Sequence, residues 1–528
     1  MKRPWVRVLA VVLLLVAAGV GAVLFWASRL PLQERDVVRP TYPRFELGDG
    51  AADGSRRPAP NGLAIDGAGD ARILPPMPPE KPQDVHTAAN QRANFAIRSC
   101  FWPGPRARSG VFSNDANTVW FENQFPDTGA TYTPTALRLP AGATLVVKGQ
   151  FPHARHWNFN TYDIRGVPHD ALSDVDIDPD PGSSNPFRAD VRRDAEPRLY
   201  TLRVVNGTPP EPRPRNTLYT MTAAGEDAYL WMRVYVPDGS RDWLGGVPLP
   251  EVELHTSDGK VVAGDAACAA TASPMRGRQL PRSVDPRLAL ALIRLPWIDA
   301  RHPGVIARDV VPFKAFFNRT QVLADAFLPF LSPTEPKSIG AWWSNRATRY
   351  GYANLSLQVG RVWAVTGRLP KTPRTWHGEA THDPSVDMRY ASLCTVSSAI
   401  AATTNDCAYD EQLRPSVDAS GHFLAVVSRQ EDRPSNARAE CGVVWLDFGN
   451  GDGVVGGLPD LGYLVNRHTT VSPTFAHSWF AVAKPGSEHD VMGEYLPYAL
   501  NVKDKTGFEA LGCPVDRAAV RRMLPGGR

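Results

Sequence analysis

Residues 132–152 and 350–370 read as two copies of one segment, and this internal duplication limits what the chain can fold into more than any other feature. At a constant offset of 218, without a gap, Tyr132, Leu137, Leu139, Gly142, Val147, Gly149 and Pro152 meet Tyr350, Leu355, Leu357, Gly360, Val365, Gly367 and Pro370. After a longer loop in the second copy the pattern resumes, with Arg155, Phe159 and Thr161 answering to Arg389, Leu393 and Thr395. Further on, Tyr229-Leu230 with Arg233 and Pro237 faces Tyr463-Leu464 with Arg467 and Pro473 after a drift of two residues. Two related domains in tandem are expected.

The length of 528 residues agrees, because single cores stop growing near roughly 250 residues. With 49 prolines and 43 glycines, the chain is expected to be turn-rich and β-rich rather than built on long helices. A net charge of +4, with no basic run interleaved with aromatics, gives no case for nucleic acid as a partner.

The N-terminus points to a membrane. Lys2, Arg3 and Arg7 precede an uncharged apolar run from Val8 to Ala27, closed by Ser28 and Arg29, and a helix of that length matches a bilayer core. Basic residues on the N-terminal side orient the rest of the chain outward, so a single-pass protein of the cell membrane with its domains outside the cytoplasm is expected. A cleaved signal at Val20-Gly21-Ala22, giving a secreted or periplasmic form, is the alternative.

Residues 1–29 are thus assigned to an anchor or signal, 30–93 to a Pro/Gly-rich linker around Pro75-Pro76-Met77-Pro78-Pro79, and 94–270 to a first sandwich. Residues 271–339 are assigned to a helical connector, from the helix-forming composition of Pro286–Ile293 and Phe313–Leu331, and 340–528 to a second sandwich. Strands are expected at 143–148, 155–162, 200–205 and 228–236, and again at 354–365, 389–395, 423–428, 442–446 and 461–467. The absence of sustained β-helix-β alternation argues against a Rossmann-like sheet.

Six cysteines, none in a C-x-x-C pair, fit an oxidising compartment. Bridges Cys100–Cys268, Cys394–Cys407 and Cys441–Cys513 would keep every disulfide inside one domain, although six cysteines allow fifteen full pairings.

For chemistry, the segment from Arg155 to Asp163 alternates. One strand face carries Trp157, Phe159 and Thr161; the other carries His156, Asn158, Asn160 and Tyr162. That polar face reads either as solvated or as a pocket wall, with Arg155 and Arg389 beside it as candidate ligand contacts. The loop before it holds His153 and His156, its longer counterpart holds His377, Glu379 and His382, and His169 follows the turn at Gly166. These are ligand types for a divalent metal, the one cofactor the sequence raises, but their spacing matches neither a metalloprotease nor a cupin motif. Asp174–Gly182 resembles a calcium loop but lacks its glycine and closing glutamate, so an acidic edge strand is expected there. No G-x-S-x-G, P-loop, C-x-x-C-H or strand-borne G-x-G-x-x-G occurs, which argues against the common hydrolase, nucleotide and dehydrogenase classes.

On the paired Tyr…Leu-x-Leu…Gly…Val-x-Gly…Pro segments and the Arg-led strands after them, the chain resembles bacterial tandem jelly-roll proteins of unknown function. The resemblance implies a mainly β chain of two antiparallel, jelly-roll-like sandwiches and transfers no catalytic residue. Two functions are carried forward: an anchored extracytoplasmic protein binding a small molecule, glycan or protein partner, and a metal-dependent extracytoplasmic enzyme using the histidine-bearing loops.

Overall fold

The computed structural model describes residues 100–101, 125–273 except 165, 240 and 243, then 309–316, 343–397, 403–449 and 460–525 except 485, with short pieces at 19, 64–65 and 71–72. The expected anchor apart from residue 19, and nearly all of the linker, lie outside these residues. So does the connector apart from 271–273 and 309–316. Among the described residues, no helix is long and apolar enough to cross a membrane.

The protein is mainly β, with several sheets and few helices, consistent with β-sandwiches. In the first half the strands are β1 (Ala130–Arg138), β2 (Thr144–Gln150), β3 (Ala154–Asp163), β4 (Pro168–Ser173), β5 (Leu199–Val205), β6 (Thr217–Tyr219), β7 (Asp227–Pro237), β8 (Glu251–His255) and β9 (Val261–Ala263). They form an inner sheet ordered β1-β7-β3-β4 and an outer sheet ordered β9-β8-β2-β5-β6. The alternation of side chains explains the core between them. Trp157, Phe159, Leu230, Met232 and Val234 from the inner sheet meet Leu145, Val147, Leu202, Val204, Val252 and Leu254 from the outer.

The second half repeats this plan. Its strands are β10 (Val310–Pro312), β11 (Lys314–Ala315), β12 (Thr348–Ser356), β13 (Val362–Arg368), β14 (Met388–Ser397), β15 (Thr403–Tyr409), β16 (His422–Ser428), β17 (Val444–Asp447), β18 (Leu461–Val471) and β19 (Tyr498–Asn501). The inner sheet runs β11-β12-β18-β14-β15 and the outer β10-β19-β13-β16-β17. β12 and β13 begin and end at the bounds of β1 and β2 shifted by 218, while β14 and β18 match β3 and β7 shifted by 234. Even the register slips agree, at Thr161/Tyr162 against β4 and at Thr395/Val396 against β15.

Several expectations are corrected. Each outer sheet contains one parallel pair, β5 with β6 and β16 with β17, so the sandwiches are not wholly antiparallel. Residues 354–365 form not one strand but the end of β12 and the start of β13, separated by a turn at residues 357–359. The expected helix from Phe313 begins instead with β11. Together with β10 it edges the second sandwich, which therefore starts before residue 340. Val471, not Pro473, ends β18 where Pro237 ends β7. Asp174–Asp176 form a 3-10 turn with Asp174 fully buried, because its carboxylate is drawn inward by the groups described below rather than left on an edge.

All three expected disulfides are present, and no described cysteine is free. Cys394 and Cys407 sit directly opposite each other on β14 and β15.

Candidate functional site

β3 is buried along its whole length and β7 along all but its first residue, so both faces of the inner sheet are covered. One face is the first core; the other packs on the second half. The polar face of β3 is therefore neither solvated nor open as a pocket wall. It forms a seam between the sandwiches.

Two exchanged arms hold this seam. The segment Phe125–Asp127 reaches from the first half, where the carbonyl of Phe125 accepts from Arg467 and Asp127 pairs with Arg467 at 3.3 Å. Its counterpart, offset by 218, is Trp343–Asn345, where the carbonyl of Trp343 accepts from Arg233 at 2.7 Å. The backbone N–H of Asp127 donates to Tyr132 and that of Asn345 to Tyr350, at 2.9 and 3.1 Å. Phe125 and Trp343 both have positive φ, 51° and 60°, a conformation bulky residues adopt only when their surroundings enforce it.

Charged groups cross the seam in the same paired way. The guanidinium of Arg155 is fully buried; it donates to Asp410 and Glu411 of the second half and, at 3.0 Å, to Thr375. Burial holds the carboxyl of Asp410 above its ordinary range, against the opposing pull of Arg155. The counterpart Arg389 approaches Asp174 of the first half at 3.9 Å and donates to the carbonyl of Phe187 at 2.6 Å. Asp174 and Asp410 are themselves equivalent. Each accepts a backbone N–H at matched positions of the two inner sheets, Trp157 at 3.1 Å and Ala391 at 2.9 Å.

The other β3 candidates are occupied too. Asn158 donates to Asn345 at 2.7 Å, Asn160 contacts Asn158 and Asn345, and the hydroxyl of Tyr162 donates to the carbonyl of Ser344 at 2.9 Å. His156 is buried, with Nδ1 2.6 Å from Asp174 and Nε2 3.5 Å from the hydroxyl of Thr470. Burial would raise the carboxyl of Asp174, but His156 and then Arg389 hold it below its ordinary range. Asp174 thus orients His156, while at 3.5 Å Thr470 stands too far from Nε2 for a good hydrogen bond and has a φ of 50°. The strain is not specific to Thr470. Val236, the equivalent residue of β7, has a φ of 46° and no hydroxyl, so the backbone kink belongs to the repeat.

The two histidine-bearing loops gather at one end of the seam, where the segments around Arg193 and Ala380 share a backbone hydrogen bond of 3.0 Å. His382 stacks on Phe187, and its Nε2 lies 2.8 Å from Arg193 and 3.4 Å from Arg389. Guanidiniums are donors only, so this nitrogen accepts, and burial with both arginines holds the ring well below its ordinary pKa. His377 pairs through Nδ1 with the buried Glu411, Glu379 accepts the N–H of Arg374 at 2.6 Å, and His153 lies 3.6 Å from Glu196. His169 sits on β4, its carbonyl accepting from Arg346. Among the described residues, the group of potential metal ligands that comes together is Asp127 with Cys394 and Cys407, and both sulfurs are in a disulfide. The histidines and Glu379 are not brought together as a ligand set. In the calcium-like stretch, Asp178 instead pairs with Arg188 and Arg215, each at 2.7 Å.

Sequence reasoning missed Asp410, Glu411, Asn345 and Asp127. A signal for the last two existed: the 218 offset extends upstream to Phe125/Trp343 and Asp127/Asn345, but these are unlike residues and only their backbone roles match.

No protein family model matches the chain, and no curated protein matches it. Among solved structures, the chain is similar to an uncharacterised protein from Burkholderia cenocepacia at 12% identity and a TM-score of 0.37, covering 74% of this chain and 83% of that one. It is also similar to the VPA0106 protein from Vibrio parahaemolyticus at 12% identity and a TM-score of 0.33, covering 72% and 91%. The chain thus resembles uncharacterised bacterial proteins.

Proposed function

We propose that this chain is an anchored extracytoplasmic binding protein, made of two jelly-roll-like sandwiches that arose by duplication and act as one rigid body. It takes a small molecule, glycan or protein partner at the loop end of the seam. The observation that carries this reading is the use of the seam itself. Side chains with catalytic or ligating chemistry there, Arg155, His156, Asn158, Asn160 and Asp174 among them, are buried and engaged by protein groups, as a rigid scaffold requires. Exposed charge is found instead at the loop end, on Glu196 of the first half and on Lys371, Arg374 and Asp383 of the second. Three disulfides fit an export route.

Two measurements test it. Thermal-shift screening of the full-length chain in detergent against envelope glycans, small metabolites and phosphorylated compounds is expected to raise the melting temperature for at least one class. Metal analysis of the same protein is expected to give less than stoichiometric metal, unchanged by His153→Ala or His156→Ala. Stoichiometric metal lost in those variants would replace this reading with the metal-dependent enzyme.

A further inference from the structure

The loop end of the seam contains a cationic recess in the first sandwich that the scaffold does not use. It is built by three segments: Pro152–Ala154 leading into β3, the strand entry Arg193–Arg198, and the turn after β7 that carries Asp238 and Arg241. Backbone bonds tie the first and third together, from His153 N–H to Gly245 and from Asp238 N–H to His153, and the N–H of Phe151, next to the first, donates to the carbonyl of Arg198.

The charges in this recess are unequal. Arg193 is saturated: it donates to Asp238, to the carbonyl of Ala154 at 3.0 Å, and to His382. Arg198 is not. Its side chain is 1% exposed; Nη2 donates to the carbonyl of Arg193, while Nε and Nη1 are buried without a hydrogen-bond acceptor. Leaving a guanidinium donor unmet in a protein interior costs about 1–3 kcal/mol or more, so such donors generally mark a missing partner. Burial disfavours the charged form of Arg198, and Arg193 and exposed Arg241 add repulsion against the pull of Glu196 and Asp238. Of the neighbouring acids, Asp238 belongs to Arg193 and Asp194 is paired with Arg192.

What covers the recess is Glu196. Its side chain is 57% exposed, yet one oxygen, Oε1, lies 3.5 Å from Nε of Arg198 and 3.6 Å from Nε2 of His153. Both distances are too long for good hydrogen bonds. An exposed surface carboxylate therefore lies over a buried guanidinium and His153 without a good hydrogen bond to either. Burial first, and then Arg198, Arg241 and Arg193, holds His153 down to about 4, so at neutral pH it offers an N–H rather than a positive charge.

We infer that this recess is an anion site for a phosphate group, in which Arg198, Arg241 and His153 bind the phosphoryl oxygens and Glu196 is the placeholder the ligand displaces. Phosphate fits better than a carboxylate, because the donors converge from three segments rather than presenting one planar fork. The inference rests on the reading of the chain as a binding protein and names the chemistry of its ligand.

Calorimetric titration of the full-length chain in detergent with inorganic phosphate and with glycerol phosphate tests it. Saturable binding is expected, with affinity lowered roughly tenfold or more by Arg241→Gln, an exposed position that leaves folding intact, and lost in Arg198→Gln. Glu196→Gln should tighten binding, because it removes the competing charge. Arg203→Gln, on the exposed outer sheet, should change nothing. Tighter binding of glycerol phosphate would assign the site to a lipid or polymer headgroup, and equal binding would assign it to free phosphate. Absence of saturable heat in both wild type and Glu196→Gln, or equal affinity in wild type and Arg241→Gln, would overturn the inference. A thermal-shift hit with an uncharged glycan in the same protein would leave the binding-protein reading standing without it.

Discussion

The outer sheets of the two sandwiches share the order β8-β2-β5-β6 and β19-β13-β16-β17, take their edge strands β9 and β10 from different places in the chain, and differ in what lies on their far faces. In the first, β5 alternates between buried and accessible residues, its outward side chains including Thr201 and Arg203, and Lys148 and Glu253 form an ion pair in solvent. In the second, the corresponding β16 is buried from Phe423 to Ser428, and Leu424 and Val426 stand where the first half has Thr201 and Arg203. Those side chains join Val362, Ala364, Leu500, Phe508 and Val520 in an extra core under the C-terminal segments, which Cys441–Cys513 ties to the sheet side. A strand that alternates needs one core, and a strand that is apolar throughout needs two. One topology has thus been finished in two ways, and residues on two strands report which.

The seam offers a second comparison and the largest expected effect. Arg155→Ala leaves two buried carboxylates of the second half without their cation, and should destabilise by about 3–5 kcal/mol. Arg389→Ala is milder. Asp174 keeps His156 and the Trp157 N–H, so roughly 1–2 kcal/mol is expected, mostly from the lost bond to Phe187. Chemical denaturation of both variants measures the difference; equal losses would mean that the two crossings are equivalent in energy as well as in position.

The outer faces predict the next effect. Leu424→Ala opens a cavity beneath the C-terminal cover and should cost about 2–5 kcal/mol, whereas Arg203→Ala at the equivalent place should stay within about 0.5 kcal/mol. Denaturation midpoints at unchanged slope give the comparison.

Much of this arrangement was legible in the sequence. The strand pattern placed β2, β3, β7 and β14 to within two residues, but β1 was not expected and 354–365 merged the end of β12 with the start of β13. Matched glycines were less informative than they looked. Gly142 turns with a φ of 70°, whereas Gly360 is needed because a Cβ there would collide with Asn501. The polar face of β3 was read correctly as a face, but its burial depends on a second sheet more than 180 residues away in the chain. No local pattern states that contact. Asp174 was unreadable for a related reason: a carboxylate between a histidine and an arginine from the other half looks, in sequence, like part of an acidic turn.

Acid should separate the buried histidines from the rest. His153 is held down to about 4 and the fully buried His468 to about 3, chiefly by burial, and His382 is lowered as well. These rings stay neutral when folded and take up protons on unfolding, with an ordinary value near 6.5. Stability from this source is complete above about pH 6.5 and falls as pH drops through the window toward 4. Melting temperatures measured from pH 7.5 to 4.5 should decline below 6.5, and His468→Gln should flatten the slope. An unchanged slope would mean that His468 is protonated in the fold.

The smallest expected effect is the most useful check on the outer faces. Lys148 and Glu253 pair on the solvated side of the first sandwich with side chains 47% and 24% exposed, so water screens the attraction and ordering two long side chains opposes it. Glu253→Gln should therefore shift stability by no more than about 0.5 kcal/mol, and the shift should shrink further in high salt. A loss as large as that of Leu424→Ala would require this face to be covered in the intact protein, by a chain segment outside the described residues or by a partner. Solvent protection of Lys148, measured by amine labelling, would then separate the two faces of the comparison: a labelled lysine keeps the first outer sheet open, and a protected one makes it the counterpart of the covered second sheet.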